Sequence, residues 1–187
     1  GSAGQAKREI NIETGRRHWA FQPLANPPVP SVKNAAWPQN EVDRFLLSKL
    51  EQKNIAPASQ APPSQILRRL YFDLIGLPPS PEEVAAFEKD PSPAAYAKIV
   101  DALLERPQYG ERWGRHWLDV VRYAESGGYE FDGYRPGAYL YRDWVIQSLN
   151  ADMPYDLFVK MQLSGDVMGG NPIEGASATG FLVAGPY

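Results

Sequence analysis

The eighteen prolines of this 187-residue chain, by where they fall, set the limits on its fold. They concentrate in residues 21–38 (FQPLANPPVPSVKNAAWP) and 55–64 (IAPASQAPPS). Proline fixes φ near −65° and has no amide hydrogen, so neither segment can be a helix interior or a central strand. Both are expected to be extended connectors of polyproline type. The first carries Trp19, Phe21, Leu24, Val29 and Trp37 on or beside it. An apolar strap of this kind is expected to pack across helices.

Between and beyond these segments the punctuation is helical. NEVDRFLLSKLEQKN opens on a capping asparagine, Asn40, and places Val42, Phe45, Leu46 and Leu50 at helical spacing. SQILRRLYFDLIGLPPS sets Ile66, Leu67, Leu70 and Leu74 on one side; Gly76 and Pro78-Pro79 then supply a stop. SPEEVAAFEKD has Ser80 as N-cap, Pro81 at the first helical position and Glu83 to close a capping box. Ser92-Pro93 repeats that opening before a stripe of Tyr96, Ile99, Val100, Leu103 and Leu104. A further helix is predicted from about Gln108 to about Ser126, with Trp113, Trp117, Val120, Val121 and Ala124 on its apolar face. Arg115–Asp119 and Arg122–Glu125 fall at ion-pair spacing on that helix. A glycine-bearing loop leads to AYLYRDWVIQSLN, a last long helix opens at Pro154, and the tail is a loop with a short apolar element. No segment alternates at period two. The fold class read from this pattern is all-α: a single compact multi-helix domain of six or seven helices with a proline-rich extended N-terminal strap. Residues 1–17 read as tag remnant and flexible lead-in, and 18–187 as the domain, with halves at 40–105 and 107–168.

Charge and composition exclude several functions. A formal net charge of −3 without a basic cluster argues against nucleic acid and against a membrane surface. No apolar run is long enough for membrane insertion. The chain contains no cysteine, so it cannot form a disulfide, use a thiolate or carry a thioether-linked haem. The opening GSAG suggests a piece of a longer protein, so the lack of a signal peptide does not bear on export.

Several long motifs occur in order: HWAFQPL, DRFLLSKLE, RRLYFDLIGLPPSPEEV, YGERWGRHWLDVVRYAES, YRDWVIQSLNADMPYDLFVKMQLSGD and ATGFLVAGP. Together, over His18 to Tyr187, they resemble a domain of unknown function found in large exported planctomycete proteins behind a c-type cytochrome domain. The resemblance implies export to the periplasm or cell surface and neighbouring domains of the parent polypeptide as partners. It also implies haem c on a separate domain, with no cofactor held here. It brings no catalytic residues with it.

The stretch RYAESGGYEFDGYRPGAYLYRDW, 122–144, packs seven aromatics among three arginines and four carboxylates. One reading is structural: arginines and carboxylates form a half-buried network that fixes two helices. The other is a ligand site built from Arg122, Glu125, Tyr129, Glu130, Asp132, Arg135, Arg142 and Asp143. Rings stack on the apolar faces of sugars, and arginines and carboxylates take hydroxyls or anionic substituents, which suits a polysaccharide. The resulting expectation is a non-catalytic accessory, ligand-binding or interdomain scaffold module. The alternative is a glycan hydrolase using paired carboxylates of the 125–132 loop. Calcium at Glu125, Glu130 and Asp132 is disfavoured by the three arginines. His116 and Asp119 share a helix face, but a lone histidine among tryptophans reads as a core residue. Trp113, Trp117 and Trp144 read as core too.

Overall fold

The computed structural model of the chain describes residues 11–129, 132–168 and 170–185. It is all-α: nine α-helices and no strand occur among the described residues. None of these helices is long and apolar enough to cross a membrane. The chain divides into two compact units, Gly1–Ser59 and Gln60–Tyr187.

The first unit contains α1 (Ile12–Arg16), within the lead-in, a short 3-10 turn at Trp19–Phe21, the strap and α2 (Glu41–Gln52). Asn40 caps α2 as expected, its Oδ1 accepting the Asp43 N–H at 3.0 Å. The end of the strap is tied to α2 by carboxylates. Glu51 accepts the Lys33 and Asn34 amides at 2.9 and 3.2 Å, and Asp43 accepts the Gln39 amide at 2.8 Å. Two expectations are corrected here. Leu47, not the Val42–Phe45–Leu46 set, is the buried residue of α2, and Trp19, Phe21 and Leu24 are exposed rather than packed. Hydrogen bonds to carboxylates tie the end of this strap, where Trp37 is half-buried; Trp19, Phe21 and Leu24 add nothing to that hold.

The second unit begins with α3 (Pro63–Leu74), α4 (Pro81–Lys89) and α5 (Pro93–Leu104). The caps of α4 and α5 are those the sequence announces: Ser80 and Glu83 form the full capping box, and Ser92 accepts the Ala95 N–H at 3.2 Å. Gly76 has φ +72°, a conformation that costs glycine little. Leu67, Leu70, Tyr71, Ile75, Phe87 and Leu103 make one core. Above it Arg106 pairs with Glu83 at 2.8 Å and lies over the Tyr71 ring at 5.5 Å. Burial first, then the Glu83 carboxylate, pushes the Tyr71 hydroxyl up to about 12.

A second core lies among α6 (Gln108–Val120), α7 (Ala138–Asn150), α8 (Tyr155–Ser164), α9 (Pro172–Ala178) and the 3-10 turn Thr179–Val183. Here α6 and α7 meet through glycine. A Cβ at Gly110 would fall 2.5 Å from the Ile146 carbonyl oxygen, and one at Gly114 would fall 3.2 Å from Ile146 Cγ1. Asn150, at the end of α7, uses this closeness: its Oδ1 accepts the Gly110 N–H at 2.7 Å and its Nδ2 donates to the Pro107 carbonyl at 3.0 Å. One side chain thus caps a neighbouring helix. The core itself stacks Trp144 on Phe158 at 5.1 Å and sets Trp117 edge-on to Phe158 at 5.0 Å. Gln162 is buried among them, its Oε1 accepting the Trp117 Nε1–H at 3.0 Å and the Tyr141 hydroxyl at 2.6 Å. Its own amide donates to the Phe158 carbonyl at 3.1 Å. Burial pushes the Tyr141 hydroxyl up to about 12. Trp117 and Trp144 are in or against this core, as expected. Trp113 is not: it is 41% exposed, and the exposed His116 ring sits 5.4 Å from it. The glycine side of α6 faces α7, which turns Trp113 and His116 outward.

Candidate functional site

The helix α6 stops six residues before its predicted end. Arg122 N–H donates to the Asp119 carbonyl at 3.2 Å and Tyr123 N–H to the Leu118 carbonyl at 2.9 Å, with Arg122 at φ +55°. This is a Schellman closure with arginine in the left-handed position that glycine usually takes, at a cost of roughly 1 kcal/mol. Arg122 therefore leaves the helix face. Neither Arg122–Glu125 nor Arg115–Asp119 is an ion pair among the described residues. The chain then folds back on itself. Arg135 N–H donates to the Glu125 carbonyl at 2.8 Å and Gly127 N–H to the Gly133 carbonyl at 3.0 Å, with an isolated antiparallel bridge between Ser126 and Tyr134.

The charged side chains take separate tasks around this pinch. Arg135 reaches the C-terminal turn: its guanidinium donates to the carbonyls of Ala124, Val183, Ala184 and Gly185. Asp132 accepts the Gly128 N–H at 3.1 Å. Tyr129 is 92% exposed, at φ +51°. Glu130 lies outside the described residues. Glu125, Arg142 and Asp143 do come together, with Arg142 donating to both carboxylates at 2.9 Å and the Tyr123 hydroxyl donating to Glu125 at 3.3 Å. Burial and then the Glu125 charge push the Tyr123 hydroxyl up to about 12, while the Asp143 hydrogen bond raises the Arg142 guanidinium further above its ordinary value. The network is partly buried, as the structural reading expects, and no member of it is sealed from water. The side chains of Arg142, Glu125 and Asp143 are 38%, 52% and 43% exposed, where such pairs contribute at most about 1 kcal/mol.

Beside this cluster lies a cavity of about 680 Å³ between the 121–137 loop, the start of α7 and the α9 segment. Its walls are mostly apolar and aromatic, Tyr123, Tyr134, Leu140, Tyr141, Ile173 and Val183, with Arg135 and Ser177 among them. A second hollow of about 290 Å³ shares Leu140, Ile173 and Ser177 with it and adds Asp143, Gln147, Asn171 and Glu174. The two form a groove with an aromatic end and a polar, acidic end. Trp144 also lines the polar end, and its indole Nε1–H is buried with no partner among the described residues. Sequence reasoning missed Tyr134 and the whole α9 wall. The signal for α9 was present in Asn171-Pro172, a cap followed by proline at the first helical position; the Asn171 side chain accepts the Ile173 N–H at 3.0 Å. Among the described residues, no three histidine or acidic side chains are grouped to hold a metal ion.

With this geometry in place, comparison with known proteins adds a family and nothing finer. A family model described as PSCyt2, a protein of unknown function (DUF1549), matches residues 41–187. No curated protein and no solved structure matches the chain. The chain belongs to the PSCyt2 family, in agreement with the resemblance carried by its motifs.

Proposed function

We propose that this PSCyt2 domain is a non-catalytic binding module whose ligand is a polysaccharide segment laid along the groove between the 121–137 loop and α9. The observation that carries the reading is Tyr134. It is 73% exposed, yet it lines an apolar cavity that continues into a row of Asp143, Gln147, Asn171 and Glu174. A sugar needs those two surfaces side by side, a ring to stack on and planar polar groups for its hydroxyls. The Glu125 and Asp143 carboxylates are both engaged by one guanidinium, so they position and bind rather than transfer protons. In the parent protein the module would work outside the cell beside a haem-bearing domain, as family membership supports. The exposed Trp19, Phe21 and Leu24 of the first unit would dock against such a neighbour.

The test is calorimetric titration of the domain with neutral, uronic and sulfated oligosaccharides. Binding is expected with at least one class, and Tyr134→Ala is expected to weaken it about tenfold, the scale of one lost aromatic stack with its buried area. If no class binds at millimolar concentration, or if Tyr134→Ala binds as well as the native chain, the reading is wrong.

A further inference from the structure

We propose that a separate cavity on the other side of the Ala184–Gly185 turn binds an alkyl carboxylate, with Arg122 as its anion receptor. This cavity has a volume of about 530 Å³, within the range of about 300–1,000 Å³ typical of small-molecule sites. Its walls are Trp117, Val120, Val159, Leu163 and Leu182, and Val120, Leu163 and Leu182 are 75%, 57% and 62% exposed. Apolar side chains left this open around a hollow are a surface in want of an apolar body.

The charge distribution specifies the rest of the ligand. Arg122 is the one charged residue among those lining the cavity, and its guanidinium has no hydrogen-bond or ion-pair partner among the described residues. The other arginines of this region are engaged: Arg135 by four carbonyls, Arg142 by two carboxylates. Arg122 also occupies a left-handed backbone position, φ +55°, where glycine or asparagine would close the helix with less strain. A strained residue that lines a cavity and whose side chain meets no partner among the described residues fits a binding role. The bare end of α6 would repel an anion, but the Schellman bonds satisfy its last carbonyls and Arg122 adds a full positive charge at that point. A guanidinium binds a carboxylate through two parallel N–H donors, and the apolar walls take the chain.

Dodecanoate and dodecanol, titrated calorimetrically into the domain below micellar concentration, form the deciding pair. Dodecanoate is expected to bind roughly tenfold tighter, the worth of one charge-assisted hydrogen-bonded pair. Arg122→Asn, which accepts the left-handed backbone, is expected to erase that preference, and Arg122→Lys to keep part of it. Leu163→Trp, which fills the cavity, is expected to abolish binding of both, while Tyr134→Ala in the neighbouring groove leaves it unchanged. Equal affinity for acid and alcohol would mark a plain apolar contact surface for another polypeptide and would overturn the proposal. So would a preference that survives Arg122→Asn, or a native chain that binds neither probe.

Discussion

The two cores of the Gln60–Tyr187 unit solve the same packing problem with different parts. The α3–α5 core is built from leucine, isoleucine and phenylalanine on amphipathic stripes, with α4 and α5 capped by the serines that open them. The α6–α9 core is built from stacked aromatics, a buried glutamine and glycines that let backbones touch; its α6 N-terminus is capped from another helix. Each core also carries a tyrosine–glutamate–arginine set: Tyr71, Glu83 and Arg106 in the first, Tyr123, Glu125 and Arg142 in the second. In the first set the glutamate is fixed by its own capping box, so the ion pair rests on a rigid base. In the second it stands on an irregular loop, and the arginine divides its donors with Asp143. Hollows lie against both cores: one of about 560 Å³ borders the first at Tyr71, Phe87 and Leu103, between regular helices, whereas those of the second are walled in part by irregular loops. Both cavities argued above lie against the second core.

The largest way to break this contrast is at the glycine seam. Gly110→Ala sets a methyl group 2.5 Å from the Ile146 backbone carbonyl, which moves only with α7, and 2.6 Å from the Asn150 side chain, which must give up its cap to make room. Overpacking and loss of the cap together are expected to cost about 3 kcal/mol in urea denaturation. Gly114→Ala meets only side chains, the nearest being Ile146 at 3.2 Å, and is expected to cost much less. Equal losses at the two sites would mean that the backbone approach at Gly110 is not what holds α6 to α7.

The same contrast explains what the sequence made legible. Asn40, Ser80, Ser92 and Gly76 speak through residues three to five positions away, so their caps could be read directly. The end of α6 could not be read. Val121 to Ser126 continue a plausible helical pattern, and it is the C-terminal turn, through the Ala184 carbonyl on the Ala124 amide and the carbonyls on Arg135, that draws the chain away. Trp113 and His116 were misplaced for a related reason. On α6 the small face, Gly110 and Gly114, is the buried one, and the four-residue spacing in YGERWG was the available clue. Of the candidate site, the Glu125–Arg142–Asp143 cluster was legible as a set of charges. The groove was not, because half of its wall comes from α9, some forty residues downstream.

The ion pair of the first core should respond to acid. Burial alone would raise the Glu83 carboxyl, but the Ser80 N–H, Arg106 and Tyr71 outweigh it and hold the carboxyl below its ordinary value of 4.5. A depressed folded value means that the stabilisation is fully present above about 4.5 and is lost as pH falls through the folded value. Glu83→Gln keeps an acceptor for Ser80 but loses the charge facing Arg106, so it is expected to cost about 1 kcal/mol at neutral pH. Thermal unfolding of both proteins from about pH 7 to about pH 3 should show the gap closing in acid. A gap that stays constant would remove Glu83–Arg106 from the acid response of this core.

The smallest effect is expected where the sequence suggested a large one. A buried arginine–carboxylate network would lose several kcal/mol with Arg142→Ala, because a charge would be stranded. Glu125 and Asp143 are about half exposed, so water takes over from the lost guanidinium and the expected cost is only about 0.5 kcal/mol. Tyr123 provides a second readout in the same variant. Its hydroxyl is pushed up to about 12 chiefly by burial, with the Glu125 charge behind it, so its late titration should survive the loss of Arg142. A loss above about 2 kcal/mol would restore the arginine as a structural centre. A Tyr123 phase that falls back toward about 10 would show that Arg142 keeps the 121–137 loop closed, and the second core would then depend on its ion pair as the first does.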